Sequence, residues 1–254
     1  MKKIGIIGCG WLGSRIAEKL SGQFEIYVTT TSEHKLEQFQ KKGFHPMIAD
    51  FNDAQSIEFL SPWKAIADLD TVIITVPFST KKDNEDEVLK RAANLVSFMH
   101  GFQGQIFLMS STGVYPDFEK DFSEDDLSSD HAAGERVIKN AFPKTNILRL
   151  AGLMGDDRVL SKYTISNLDV RVNHIHYADI CSVIEKMMER QLHSKLYNLA
   201  APMHPQKGEV ISAQKNIPYF SKMEYGGRTI SSEKLISELD FDFKFPDPRY
   251  FHID

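Results

Sequence analysis

The sequence is poor in cysteine, with only Cys9 and Cys181 among 254 residues. They stand far apart and outside any paired spacing, so neither a disulfide framework nor a cysteine-based zinc site is expected. A reducing, cytoplasmic setting fits that usage. No run of 18 apolar residues occurs, so no membrane span is expected. No block of lysine and arginine makes a footprint for a phosphate backbone, and 35 acidic residues outnumber 30 basic ones for a formal net charge of -5. Nucleic acid is therefore not an expected partner. Internal repeats, low-complexity tracts and Pro/Ser/Gly-rich linkers are missing too, so a second lobe is expected to be woven from several segments. The opening Met1-Lys2-Lys3 and the apolar stretch Ile4 to Gly13 superficially resemble a signal peptide. Four glycines interrupt that stretch, Arg15, Glu18 and Lys19 follow at once, and no cleavage pattern closes it, so it is read as part of the fold.

What is present is ordinary globular usage, 42% hydrophobic and 26% charged, in a chain long enough for a large domain and a smaller lobe. Ile4 to Ile7 read as a short buried strand, and Leu12, Ile16 and Leu20 recur at helical spacing. Glu25 to Thr30 read as a second strand, leading through Ser32, a plausible N-cap, into a helix carrying Leu36 and Phe39. Met47 to Asp50, Thr71 to Val76, Gln105 to Met109 and Asn146 to Leu150 supply further strands. A helix over Glu85 to Met99 turns Val88, Leu89, Ala92, Leu95, Val96 and Met99 inward. After an aperiodic stretch, Gly152 to Val172, the helical pattern returns over Tyr177 to Glu189 through Ile180, Val183, Ile184 and Met187, followed by the strand-like Leu196 to Leu199. Apolar strands alternating with helices predict an α/β fold, a doubly wound parallel sheet joined by right-handed crossovers. The expected division is a Rossmann domain over 1–150 and a small C-terminal substrate lobe over 151–254, with 173–200 returning to the sheet.

Gly8, Gly10 and Gly13 lie between the first strand and the first helix, the context in which this glycine pattern points to a dinucleotide. Gly8 permits a tight turn, Gly10 leaves room for a pyrophosphate, and Gly13 lets helix and strand pack closely. With Trp11 and Leu12 at the helix N-terminus, the turn offers N–H groups to the anion. NAD-preferring sites carry an acid after the second strand. Here that place reads Thr29-Thr30-Thr31-Ser32, with Lys35 one turn on. Hydroxyls and a lysine suit a 2′-phosphate, so NADP is favoured over NAD, although Glu33 keeps NAD open; Thr30, Thr31 and Ser32 are the candidate contacts. Asp50, Phe51, Val76 and Pro77 end the third and fourth strands, at the crevice edge where dinucleotides lie in such sheets.

Four further segments resemble the extended short-chain dehydrogenases/reductases, the family of NAD-dependent epimerases and dehydratases. Ser110-Ser111-Thr112-Gly113-Val114-Tyr115 resembles its fifth-strand motif, and Arg149-Leu150-Ala151-Gly152-Leu153-Met154-Gly155 its sixth strand and loop. Asn173-His174-Ile175-His176-Tyr177-Ala178-Asp179 is similar to its segment returning to the sheet, and Tyr197-Asn198-Leu199 to its last strand. The resemblance implies an oxidoreductase or epimerase acting on a small hydroxylated metabolite or sugar nucleotide. It departs in glycine spacing, in chain length, and in the Tyr-x-x-x-Lys pair, for which Leu127 and His131 stand in the aligned places. Thr112, Tyr115 and His131 are the candidate catalytic residues. The missing pair leaves a non-catalytic redox sensor or scaffold as the alternative, and a hydroxyacid-type reductase as a third option that does not account for Ser110 to Tyr115. His174 and His176 alternate as a metal pair would, but lack a third ligand at recognisable spacing, so no metal is expected. Asp156-Asp157-Arg158 lies in the loop after the sixth strand, where the resemblance implies residues near cofactor and substrate, with a solvated charge cluster as the equal alternative; Arg228 is read first as a surface arginine and second as a contact for an anionic substrate.

Overall fold

The computed structural model describes residues 1–78, 84–126, 132–220 and 226–253. Its first strand, β1 (Lys3–Ile7), is apolar on both faces, with Ile4, Ile6 and Ile7 fully buried, as a strand covered by helices on both sides must be. Gly8 then turns the chain at φ +87° into α1 (Trp11–Leu20), whose inward stripe is Leu12, Ile16, Ala17 and Leu20. β2 (Glu25–Thr30) and α2 (Glu33–Lys41) follow. Ser32 holds the N-cap place of α2 without making a side-chain cap bond, and Phe39 is the residue that α2 buries.

β3 covers His45–Ile48, two residues earlier than the Met47 to Asp50 expected. The ladder closes where Ala49 N–H donates to Thr30 O, after which the Asp50 carboxylate bends the chain by accepting from the backbone and side-chain N–H of Asn52. α3 (Ala54–Leu60) was not anticipated; Asp53 caps it by accepting from Gln55 and Ser56 N–H. β4 (Thr71–Ile74) stops short of the expected Val76, because Thr75 turns its hydroxyl onto Ile7 O and Gly8 O and Pro77 has no N–H to donate. In α4 (Glu85–Phe98) the buried stripe is Val88, Arg91, Ala92, Leu95 and Phe98. Leu89 is 37% exposed, a correction to the expected core, since it sits one position off that stripe.

The remaining elements are β5 (Gln105–Ser111), β6 (Asp121–Phe122), α5 (Ala133–Ala141), β7 (Asn146–Leu150), β8 (Gly152–Met154), β9 (His174–His176), α6 (Tyr177–Glu189), β10 (Leu196–Leu199), α7 (Lys207–Lys215), β11 (Thr229–Ile230) and α8 (Glu233–Leu239). One seven-stranded sheet has the order β10-β7-β5-β4-β1-β2-β3, and β11-β6 and β8-β9 make two-stranded sheets. β1 pairs in parallel with β2 on one side and β4 on the other, so the winding reverses between β1 and β4. That switch point is where ligands of doubly wound sheets bind, beyond the carboxyl ends of the strands.

The chain divides into two compact units, Met1–Ser110 with Asp130–Leu148 and Arg190–Lys195, and Ser111–Ser129 with Arg149–Glu189 and Leu196–Asp254. In the second, the Asp179 carboxylate, 1% exposed, accepts from Lys244 and Phe245 N–H, and the His176 ring stacks on Phe245 at 3.8 Å between centroids. Among the described residues no helix is long and apolar enough to cross a membrane.

Candidate dinucleotide-binding site

The three glycines of the β1–α1 turn fill three different steric roles. A Cβ on Gly8 would lie 2.7 Å from Val76 Cγ2, and one on Gly13 3.0 Å from Thr75 Oγ1. A Cβ on Gly10 would meet only Gly8 O, at 3.7 Å, so this position faces open space, as a pyrophosphate seat requires. The turn is tied down behind it: Gly8 N–H donates to Thr29 Oγ1 at 2.9 Å, and Cys9 N–H to Thr29 O at 2.6 Å. α1 begins with no side-chain cap and no acid in its first turn. An anion placed there gains both the helix dipole and the first-turn N–H groups.

The open space is a cleft of about 490 Å³ in the first unit. Gly8, Cys9 and Gly10 form its base, Thr30, Thr31, Ser32 and Lys35 one side, Asp50 to Asn52 another, and Thr75 to Pro77 with Arg91 the third. Of the residues expected at the cofactor, Gly8, Gly10, Thr30, Thr31, Ser32, Asp50, Phe51, Val76 and Pro77 all line it. Trp11, Leu12 and Gly13 instead begin α1. The Trp11 ring lies beneath the Arg15 guanidinium at 3.9 Å from its centroid, and Leu12 is buried. The Cys9 thiol is pushed up to about 11, chiefly by burial.

Arg91, Asn52 and Thr75 are cleft residues that the sequence did not reveal. Arg91 is 8% exposed and donates through Nε to Asn52 Oδ1 and through Nη1 to Pro77 O, both at 2.8 Å. Its one sequence signal is that it falls on the inward stripe of α4, three residues after Val88. Among the described residues the cleft lining carries two cations, Lys35 and Arg91, and one carboxylate, Asp50. Glu33 is exposed and lies outside the cleft lining.

The catalytic candidates at the end of β5 and their neighbours are mostly engaged or buried. Ser110 donates to Glu135 Oε1 at 2.5 Å. Ser111 is exposed, whereas Thr112 is 6% and Tyr115 1% exposed. The Tyr115 hydroxyl donates to Asn198 Oδ1 at 2.8 Å and accepts from Arg149 Nη1 at 2.9 Å. Burial raises its pKa, against the opposing pull of Arg149. Arg228 is turned inward, donating to Tyr115 O and Pro116 O. His131 and Leu127 lie outside the described residues. His174 and His176 are both buried on β9; burial holds His174 neutral, with its pKa lowered to about 4. Among the described residues no group of three or more His, Cys, Asp or Glu is placed to hold a metal. Asp156 accepts from the Tyr177 hydroxyl at 2.9 Å.

Comparison with known proteins bears on the family and the fold. Residues 8–191 match the family described as NAD(P)H-binding. Protein YeeZ of Escherichia coli strain K12 is 26% identical over 270 residues, spanning 98% of each chain. Among solved structures, WbmG of Bordetella bronchiseptica, in complex with NAD and UDP, superposes with a TM-score of 0.77 at 15% identity, over 98% of this chain and 92% of that one. Yeast methylglyoxal/isovaleraldehyde reductase complexed with NADPH gives a TM-score of 0.76 at 13% identity, over 98% and 95%. Likenesses at that identity establish the shared architecture, while the family match covers most of the sequence itself. This chain belongs to the NAD(P)H-binding family, and its fold is that of the extended short-chain dehydrogenases/reductases.

Proposed function

We propose that the protein is a dinucleotide-dependent oxidoreductase or epimerase that takes NADP(H) in preference to NAD(H) and acts in the cytoplasm on a small hydroxylated metabolite or sugar nucleotide. The observation that carries the cofactor preference is the rim of the cleft after β2, where Thr31, Ser32 and Lys35 stand in place of a carboxylate. A carboxylate there would repel a 2′-phosphate, whereas a lysine attracts it. The buried Arg91 adds a second positive charge to the same cleft. The free, buried state of Cys9 and Cys181 is compatible with a reducing compartment.

The bound dinucleotide supplies the hydride chemistry, at its nicotinamide ring. The protein holds the pyrophosphate at Gly10 and the start of α1, and the adenosine half among Thr30 to Ser32, Asp50 and Phe51. Thr112 and Tyr115, both buried, act as positioning residues, Tyr115 through its bonds to Asn198 and Arg149, and His131 is one candidate for the proton. The specific ground for the non-catalytic reading is the pair Leu127 and His131 at the aligned dyad positions. Calorimetric titration tests the cofactor assignment: NADPH is expected to bind at least tenfold more tightly than NADH, about 1.4 kcal/mol, and Thr31→Asp to reverse the order. Equal or tighter NADH binding by the native chain would refute the preference. Turnover of a hydroxylated substrate separates the enzyme from the sensor, which would bind dinucleotide and turn over nothing.

A further inference from the structure

A redox reaction at an alcohol releases a proton as well as a hydride, and the aligned dyad places hold no tyrosine and no lysine. A different pair stands at the carboxyl end of β5. Ser110, half-buried, donates to Glu135 Oε1 at 2.5 Å, the short range of a hydroxyl bound to a carboxylate. Glu135 is 7% exposed and lies in the first turn of α5. α5 is pressed against the chain leaving β4, since a Cβ on Gly134 would lie 2.5 Å from Phe78 Cβ. Phe78 directly follows Val76 and Pro77 of the cleft wall. The pair therefore stands outside the cleft lining itself, beside the segment that continues the cleft wall, at the carboxyl end of β5, the side of such sheets on which substrates are handled.

We propose that Ser110 and Glu135 form a proton relay that replaces the family's Tyr-Lys dyad, an inference that rests on the oxidoreductase reading. In the oxidation direction the substrate hydroxyl gives its proton to Ser110 Oγ, and the proton already on Ser110 moves to Glu135 Oε1. The substrate C–O bond becomes a carbonyl, the hydrogen on carbon leaves with its electron pair to the oxidised nicotinamide dinucleotide, and Glu135 later returns its proton to water. Reduction runs the same transfers backwards. Ser110 is the catalytic residue, because it touches the reacting oxygen, and Glu135 is a positioning residue that acts through it. A serine hydroxyl alone is too weak a base for this role, and an adjacent carboxylate is what activates it.

The test has two arms, both on the full chain. In steady-state oxidation of hydroxylated metabolites and sugar nucleotides, Glu135→Gln is expected to lower kcat about 100-fold or more, the usual weight of acid-base catalysis. KM for the dinucleotide should stay unchanged, and Glu135→Asp should restore part of the loss. Ser110→Ala, which removes one half-buried hydroxyl, gives the same reading should the Gln variant not fold. In infrared spectra of the protein alone, the carboxylate band that disappears in Glu135→Gln is expected to shift in Ser110→Ala. Unchanged kcat in both variants overturns the relay, as does a protonated-carboxyl band for Glu135 at neutral pH. Activity lost in His131→Ala and kept in Glu135→Gln assigns the proton to His131 and also overturns it. No turnover by the intact chain on any substrate takes down the enzyme reading itself, and the relay with it.

Discussion

Gly8 and Gly10 are two residues apart in one turn, yet the consequences of replacing them differ. Gly8 sits at φ +87° against Val76, so a side chain there strains the backbone and collides with the next strand, and the expected effect is on folding. Gly10 has open space in front of it, so a side chain is accommodated by the apo fold and would occupy the seat proposed for the pyrophosphate. Gly10→Val is therefore expected to weaken dinucleotide binding at least tenfold, about 1.4 kcal/mol, with an unchanged thermal midpoint. Titration calorimetry beside a melting curve checks this; undiminished affinity removes the glycine turn from the site. The tight turn at Gly8 and the open position at Gly10 were legible from spacing alone. Arg91 was not, because a charged residue on a helix reads as solvent-facing by default. Its burial depends on Asn52 and Pro77, partners far away in sequence. The partners of the Tyr115 hydroxyl, Arg149 and Asn198, were hidden for the same reason, being far away in sequence.

At the scale of elements, β2, β7, α6 and β10 occupy the residues that periodicity assigned to them, because hydrophobic patterning alone decides where each begins and ends. β3 and β4 end early at features that patterning does not encode, the Asp50 carboxylate accepting from Asn52 and the Thr75 hydroxyl bonding to Gly8 O beside its own backbone bond to Ile7. β9 carries a stability consequence. His174 has its pKa lowered to about 4 by burial, with a smaller push from Lys207, against 6.5 when unburied. The unfolded chain thus takes up the proton first. The stabilisation is complete above about pH 6.5 and lost as pH falls towards 4, a span worth about 3 kcal/mol. Denaturant unfolding across that window should show the decline, and His174→Gln should flatten it. An equally steep decline in the variant would assign the slope to other groups.

For the whole molecule, the feature with the widest reach is the interleaving of its two units. The first unit needs three stretches of chain, the last of them Arg190–Lys195. That short stretch is bonded into β7: Ile147 N–H donates to Lys195 O at 2.8 Å, Asn146 Oδ1 accepts from Lys195 N–H at 3.1 Å, and Asn146 Nδ2 donates to Leu192 O at 2.7 Å. Asn146 is fully buried, so without its partners a polar side chain and a strand end are left unsatisfied. A fragment ending at residue 150 is accordingly expected to give a less cooperative melt and weaker dinucleotide binding than the intact chain. Equal behaviour of the two would show that the stretch is dispensable.

The same interleaving sets a schedule on the ribosome. Gly8, Thr31 and Arg91 are all made early, but Arg190–Lys195 emerges only after the whole of Arg149–Glu189 has been added. At synthesis rates of about 5–20 residues per second that interval lasts roughly 2–10 s. Throughout it the nascent first unit presents β7 without its closing segment. This is the window in which chaperones or nucleotide would have most influence on whether the newborn chain reaches its native state.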